Sequence, residues 1–315
     1  MRENDYMMDS RKRGTALAAA GMSGVLLLSA CAGENGMMDG LDGGGDLQDV
    51  NIALIAWEEA IAVTHMWEVI LQEKGYNVEV TDVDVAPAFE GVADGELDLY
   101  LDMWLPVTHH EYMEEHRGRI ESLGSWYDNA TLTLTVPEYM EDVQSIDDLP
   151  GYADDLDGTI VGIEPDAGLT QVTRDQAMPG YRLEEDFELR TSSGSTMMTE
   201  LDEAVTAQEP IVVTLWRPHP AYAQYELRDL EDPQGAMGGS EGLHSIGRAG
   251  FEEDYPELTE WIRNWTMNDD ELASLQALTV GPGVTDPAEG ARQWLAQNPL
   301  FLDRTLMEDA EGLEF

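Results

Sequence analysis

Apolar and polar positions fall in alternating blocks along the chain. Asn51 to Ala56 (NIALIA) is a short β-rich apolar run, Glu59 to Lys74 has apolar residues at helical spacing, and Gly75 stops that helix. Val78 to Val83 reads as a strand, Pro87 to Asp94 as a helix and Leu97 to Trp104 as a third strand, which completes a βαβαβ pattern. Such alternation predicts a parallel sheet with helices on both faces. The pattern then recurs in kind: strands at Thr131 to Val136, Thr159 to Ile163, Phe187 to Arg190 and Ile211 to Trp216, with helices at Leu169 to Ala177 and Thr196 to Ala207.

These blocks predict two α/β lobes, which 315 residues are long enough to build. Thr131 to Val136 and Leu243 to Arg248 are the expected crossovers between them. The last 65 residues read as helices, clearest at Asp269 to Leu278 and Pro287 to Ala296, and are expected to pack back on the first lobe. The chain divides accordingly into lobe 1 over 50–135, lobe 2 over 136–245 and a helical return to lobe 1 over 246–315.

Ahead of the lobes the pattern changes. Arg11-Lys12-Arg13 precedes an apolar run from Thr15 to Ala30 that ends in Leu28-Ser29-Ala30-Cys31. A charged segment followed by an apolar one is the plan of a secretory signal, and the run is shorter than the ~20 residues that span a bilayer. The Leu-Ser-Ala-Cys ending resembles a bacterial-type lipobox. It implies a signal peptide over 1–30, lipid on Cys31 and a lipid-anchored protein at the extracytoplasmic face of the cell membrane. Ala32 to Asp49, rich in Gly and Asp, reads as a flexible tether within the segment 31–49. A single Cys excludes a disulfide framework and a multi-Cys metal site.

Charge narrows the partners. Asp and Glu number 64 against 16 Lys and Arg, a net charge of −48, and Lys occurs only at Lys12 and Lys74. Nucleic acid is excluded as a partner. The acids are spread throughout the chain, a distribution that resembles proteins of salt-loving organisms, in which concentrated salt screens the self-repulsion.

Three predicted strands deliver a Trp at the carboxyl end: LIAW (Leu54 to Trp57), LDMW (Leu101 to Trp104) and VTLW (Val213 to Trp216). Ligands of open α/β sheets bind beyond those ends, and aromatic faces attract cations, so the three rings predict a cage for a quaternary ammonium group. The other five Trp (67, 126, 261, 265 and 294) lie in predicted helices or loops and read as packing. IVGIEPDAGL (Ile160 to Leu169) runs from a strand through a Pro/Gly turn into a helix, an arrangement whose backbone N–H groups can hold an anion. In LPVTH (Leu105 to His109), Pro106 is expected to open a helix with Thr108 and His109 in its first turn, where an imidazole N–H can donate to a carboxylate. A cation cage facing an anion site describes a zwitterion.

AWEEAIA (Ala56 to Ala62), DMWLPVTH (Asp102 to His109), GIEPDAG (Gly162 to Gly168) and TLWRPH (Thr214 to His219) resemble the four ligand-site motifs of the glycine betaine-binding proteins of ABC importers. The resemblance implies a bilobal periplasmic-binding-protein-like fold of type II. It also implies a prism of Trp57, Trp104 and Trp216 around the trimethylammonium group, with the Gly162 and Ile163 amides and His109 on the carboxylate. The implied partners are glycine betaine or a similar small zwitterion, an ABC permease and its ATPase; the chain is expected to be a monomer with no cofactor, no metal and no catalytic residues. Asp166 departs from the family's usual Gly and is a candidate helix cap. Leu215 and Pro220 stand where the family has Gly before the Trp and Trp after the His. Choline or carnitine is the alternative ligand. A metal-binding transporter component is a further alternative because His109, His110 and His116 fall within eight residues. The only serine cluster, Ser192 to Ser195, lacks the G-x-S-x-G elbow and reads as a loop with helix caps.

Overall fold

The computed structural model describes residues 48–315. The predicted signal peptide, Cys31 and nearly all of the tether lie outside the described residues. Strand β1 (Asp49–Leu54) pairs in parallel with β2 (Asn77–Asp82) on one side and β3 (Leu99–Leu105) on the other. Helices α1 (Glu58–Glu73) and α2 (Val85–Asp94) make the crossovers. Helix α1 forms because Glu59, Val63, Met66, Trp67 and Ile70 recur on one face and are buried there. It ends as the chain turns through Gly75, whose φ of +87° suits a residue without Cβ.

A strand of 18 residues, β4 (Ile120–Pro137), belongs to both lobes. The remaining strands are β5 (Thr159–Val161), β6 (Glu188–Arg190), β7 (Val213–Arg217), β8 (Leu227–Asp229) and β9 (Glu241–Arg248). Strand order is β2-β1-β3-β9-β4-β7-β5-β6, with β8 on the far end of β4. The first half of β4, up to Ala130, pairs with β9 in the first sheet, and from Thr131 it pairs with β7 in the second. The sheet therefore changes at 130/131, and the chain re-enters the first sheet at Glu241. The sequence draws these boundaries near 135 and 245; the first falls inside β4, which runs from one sheet into the other, and the second inside β9, which lies in the first sheet. Strands β9 and β4 are antiparallel to their neighbours, so the parallel βαβ units are closed by antiparallel connections.

The C-terminal helices Asp269–Thr279 and Pro287–Gln297 pack on α1 and on each other. Trp67, Trp126, Trp261, Trp265 and Trp294 are buried in this part of the molecule, with Trp126 stacked on Trp265 at 4.7 Å and Trp67 meeting Trp265 edge-on at 5.6 Å. They form part of the first lobe's core.

Candidate ligand-binding site

The carboxyl ends of β1 and β3 carry two of the candidate rings. Trp57 is the N-cap of α1, just past β1, and Trp104 is the penultimate residue of β3. Trp216 comes from the second lobe, penultimate in β7. All three line one small cavity of about 20 Å³, together with Glu59, Thr108 and Ile163. Their exposures of 6%, 3% and 3% mean that the lobes are shut over it. Contacts between the lobes surround it. The Trp216 indole N–H donates to Glu59 at 2.8 Å, His219 Nε2 lies 3.0 Å from Glu58, and the Trp57 indole approaches Glu164 at 3.5 Å.

Two acids absent from the sequence-based site stand behind the rings. Glu59 is fully buried, and burial, with a smaller contribution from the Glu58 charge, pushes its carboxyl up to about 8. Asp102 is also fully buried, and neither of its oxygens has a hydrogen-bond partner among the described residues. Burial, then the Glu59 charge, raises it well above the ordinary carboxylate range. The signal for both was present: Glu59 occupies the apolar face of α1, and Asp102 interrupts the apolar run LYLDMWL. Glu58, beside them, is raised by burial but moves down on balance, because its neighbour His219 and a backbone hydrogen bond together favour the carboxylate.

His109 does not sit in a helix opened by Pro106. Helix α3 (His110–Glu115) starts later, with His109 as its N-cap, because the Val107 and Thr108 N–H groups donate to the Glu241 carboxylate at 2.7 and 2.9 Å and hold 106–109 as a turn. The Thr108 hydroxyl donates to the same carboxylate. The His109 ring is fully buried, stacked on Trp57 at 5.8 Å and 11°, and edge-on to Phe89. Its Nδ1 accepts from the Trp104 N–H at 3.0 Å, which assigns the proton to Nε2. Nε2 has no partner among the described residues. Burial pushes this imidazole down to about 3, so it is neutral.

The anion half departs from expectation at one residue. Gly162 N–H already donates to the Arg190 carbonyl at 2.9 Å and extends the ladder between β5 and β6, so it is not free for a carboxylate. Ile163 N–H donates to no acceptor among the described residues, and Ile163 lines the cavity. Asp166 does not cap helix α4 (Gly168–Val172), whose N-cap is Ala167 without a side-chain cap bond. It offers its carbonyl to the Tyr112 hydroxyl at 3.2 Å, a further contact between lobes. Leu215 is buried within β7 and Pro220 is the N-cap of the turn of helix Ala221–Gln224. The three clustered histidines diverge: His109 stacks on Trp57, His110 is exposed and His116 bonds the Arg119 guanidinium at 2.7 Å.

Residues 48–297 match the family OpuAC, the substrate binding domain of ABC-type glycine betaine transport system. Over 142 residues the chain is 36% identical to the glycine betaine/carnitine transport binding protein GbuC of Listeria monocytogenes. That match covers 45% of this chain and 46% of the relative, so the chain spans about half that relative's length. Lactococcal OpuAC, in its closed-liganded conformation complexed with glycine betaine, superposes with a TM-score of 0.77 at 30% identity, covering 82% of this chain and 99% of that one. The glycine betaine/L-proline-binding protein ProX of Borrelia burgdorferi gives 0.77 at 28% identity, covering 84% and 98%. The fold is that of type II periplasmic binding proteins, as in both structures. With its fold, its collinear motifs and most of its length matched, the chain belongs to the family of substrate-binding domains of ABC-type glycine betaine transport systems.

Proposed function

We propose that this protein captures glycine betaine, or a closely related quaternary-ammonium solute, outside the cytoplasm and delivers it to an ABC permease driven by its ATPase. The observation that carries the reading is the meeting of Trp57, Trp104 and Trp216, from both lobes, around one shut cavity. Each aromatic face is worth up to ~2 kcal/mol to a desolvated cation, so three supply roughly 6 of the ~8 kcal/mol that micromolar affinity requires. The Ile163 amide and the His109 Nε2–H, both without partners, are the donors for the ligand carboxylate. Gly162 then serves through its place in the sheet and not through its N–H. The chain works as a monomer, held to the membrane by lipid on Cys31. No helix among the described residues is long and apolar enough to cross a membrane.

Choline is the second reading, and Glu59 in the cavity wall favours it, since a carboxyl there suits a ligand with net positive charge. Titrating glycine betaine, proline betaine, carnitine, choline and ectoine against Trp fluorescence tests the assignment. Betaine-class ligands should quench or shift the signal saturably while ectoine, lacking the quaternary ammonium, binds far more weakly. Ectoine binding as tightly as glycine betaine would overturn it.

A further inference from the structure

Beyond the aromatic cage the cavity has a wall of a different kind. Glu59 lines it from α1, and Asp102 on β3 lies buried next to it with both oxygens unpartnered. The Tyr100 hydroxyl, also on β3, is buried without a partner. The groups facing Glu59 are the Trp216 indole from β7, the Trp104 indole from β3, the neighbouring Glu58 and the Asp102 carboxyl. His219, past the end of β7, meets Trp216 edge-on at 4.5 Å and lies by Glu58. No arginine or lysine is among them. Two carboxyls so buried cannot both be charged while the cage is empty.

Resting on the functional reading above, we propose that Glu59 and Asp102 form an ionisable wall of the cage that gives up a proton when an onium ligand arrives. The ligand brings a fixed positive charge that no titration removes, into a low-dielectric cavity against the Glu59 carboxyl. That charge stabilises carboxylate over carboxylic acid, so an O–H bond of the pair breaks and its proton passes to the buffer. The carboxylate then acts as a fourth, charged face beside the three rings while still accepting from Trp216. Burial that holds Glu59 near 8 in the empty protein sets the pH range in which the exchange is visible. His109, held near 3, stays neutral throughout that range and takes no part.

Calorimetry of the full chain with glycine betaine, and separately with choline, tests this. At pH 7 the binding enthalpy should differ between phosphate and Tris buffers by an amount that reports the release of close to one proton. Between pH 6 and 8 the affinity should strengthen by up to about tenfold per unit and level off above that. Glu59→Gln should flatten the profile and Asp102→Asn should reduce its slope, while His219→Gln keeps it. Wild-type protein that binds betaine with equal enthalpy in both buffers and a flat pH profile would overturn the proposal. So would a slope that survives Glu59→Gln and vanishes with His219→Gln. If no onium ligand bound at any pH, the functional assignment itself would fall, a different outcome from binding without proton release.

Discussion

The Glu59 carboxyl on the first lobe accepts a 2.8 Å hydrogen bond from the Trp216 indole on the second. One bond therefore ties a wall of the cavity to the ring that completes the cage, and it exists only with the lobes shut. A ligand that touches both lobes therefore favours the shut arrangement in which this bond is made.

Closure also depends on a missing side chain. Gly168, at the start of α4, meets Thr108 of the first lobe so closely that an added Cβ would overlap the Thr108 methyl and carbonyl oxygen. Gly168→Ala should prop the lobes apart while leaving both cores intact. Small-angle scattering should lose its ligand-induced contraction, and affinity should fall tenfold or more, about 1.4 kcal/mol per decade. Normal contraction with unchanged affinity would contradict this.

Glu241 opens β9, where the chain returns from the second lobe, and its carboxylate holds the Val107 and Thr108 N–H groups and the Thr108 hydroxyl. It fixes the turn that presents Thr108 and His109. Glu241→Ala should cost about 1.5–3 kcal/mol for loss of charge-assisted bonds and weaken the ligand at least tenfold. Glu241→Gln, which keeps an acceptor, should cost less. Thermal melts and titrations of the two variants check the order.

The strand ends carrying Trp57, Trp104 and Trp216 were legible because each is an apolar run that stops at an aromatic residue. The donors of the anion half were not. Whether Gly162 or Ile163 keeps a free N–H depends on how β5 pairs with β6, and Arg190 claims the first. His109 was placed correctly on the chain but misplaced in conformation, because the partner that holds its turn, Glu241, lies more than 130 residues away. The first half of β4 was missed because register shifts near Gly124, Tyr127 and Ala130 break the period-two alternation that marks a strand. Glu59 and Asp102 were passed over although each is a charge on an otherwise apolar face, where an acid has to be explained.

The buried acids give the ligand-free protein a defined pH response. Glu59 keeps its proton in the folded state up to about 8, whereas the unfolded chain loses it near 4.5. The folded state thus binds more protons across that window, and the stability is fully present below about 4.5 and lost as pH rises through 8. His109 acts oppositely on the acid side: its folded value near 3 against 6.5 unfolded removes stability as pH falls from 6.5 toward 3. Denaturant midpoints of wild type should decline from about pH 6.5, above which His109 no longer offsets Glu59, to about pH 8, and Glu59→Gln should lessen that decline. Parallel profiles for the two proteins would exclude Glu59 as the source.

A net charge of −48 makes the fold depend on screening. The Debye length shrinks from ~30 Å at 0.01 M salt to ~3 Å at 1 M, so the thermal midpoint should be well higher in the second condition. Equal midpoints would show that the self-repulsion is met within the fold.

The central claim is that three Trp faces from two lobes hold a quaternary ammonium group. Titration of glycine betaine against Trp57→Ala, Trp104→Ala and Trp216→Ala, and against their pairwise combinations, tests it most directly, with circular dichroism to show that each variant is folded. Each single variant should weaken binding tenfold or more and each pair should abolish it in the micromolar range, while Phe or Tyr at the same positions costs less because a ring face remains. Folded double-alanine variants that bound betaine as tightly as wild type would contradict the account.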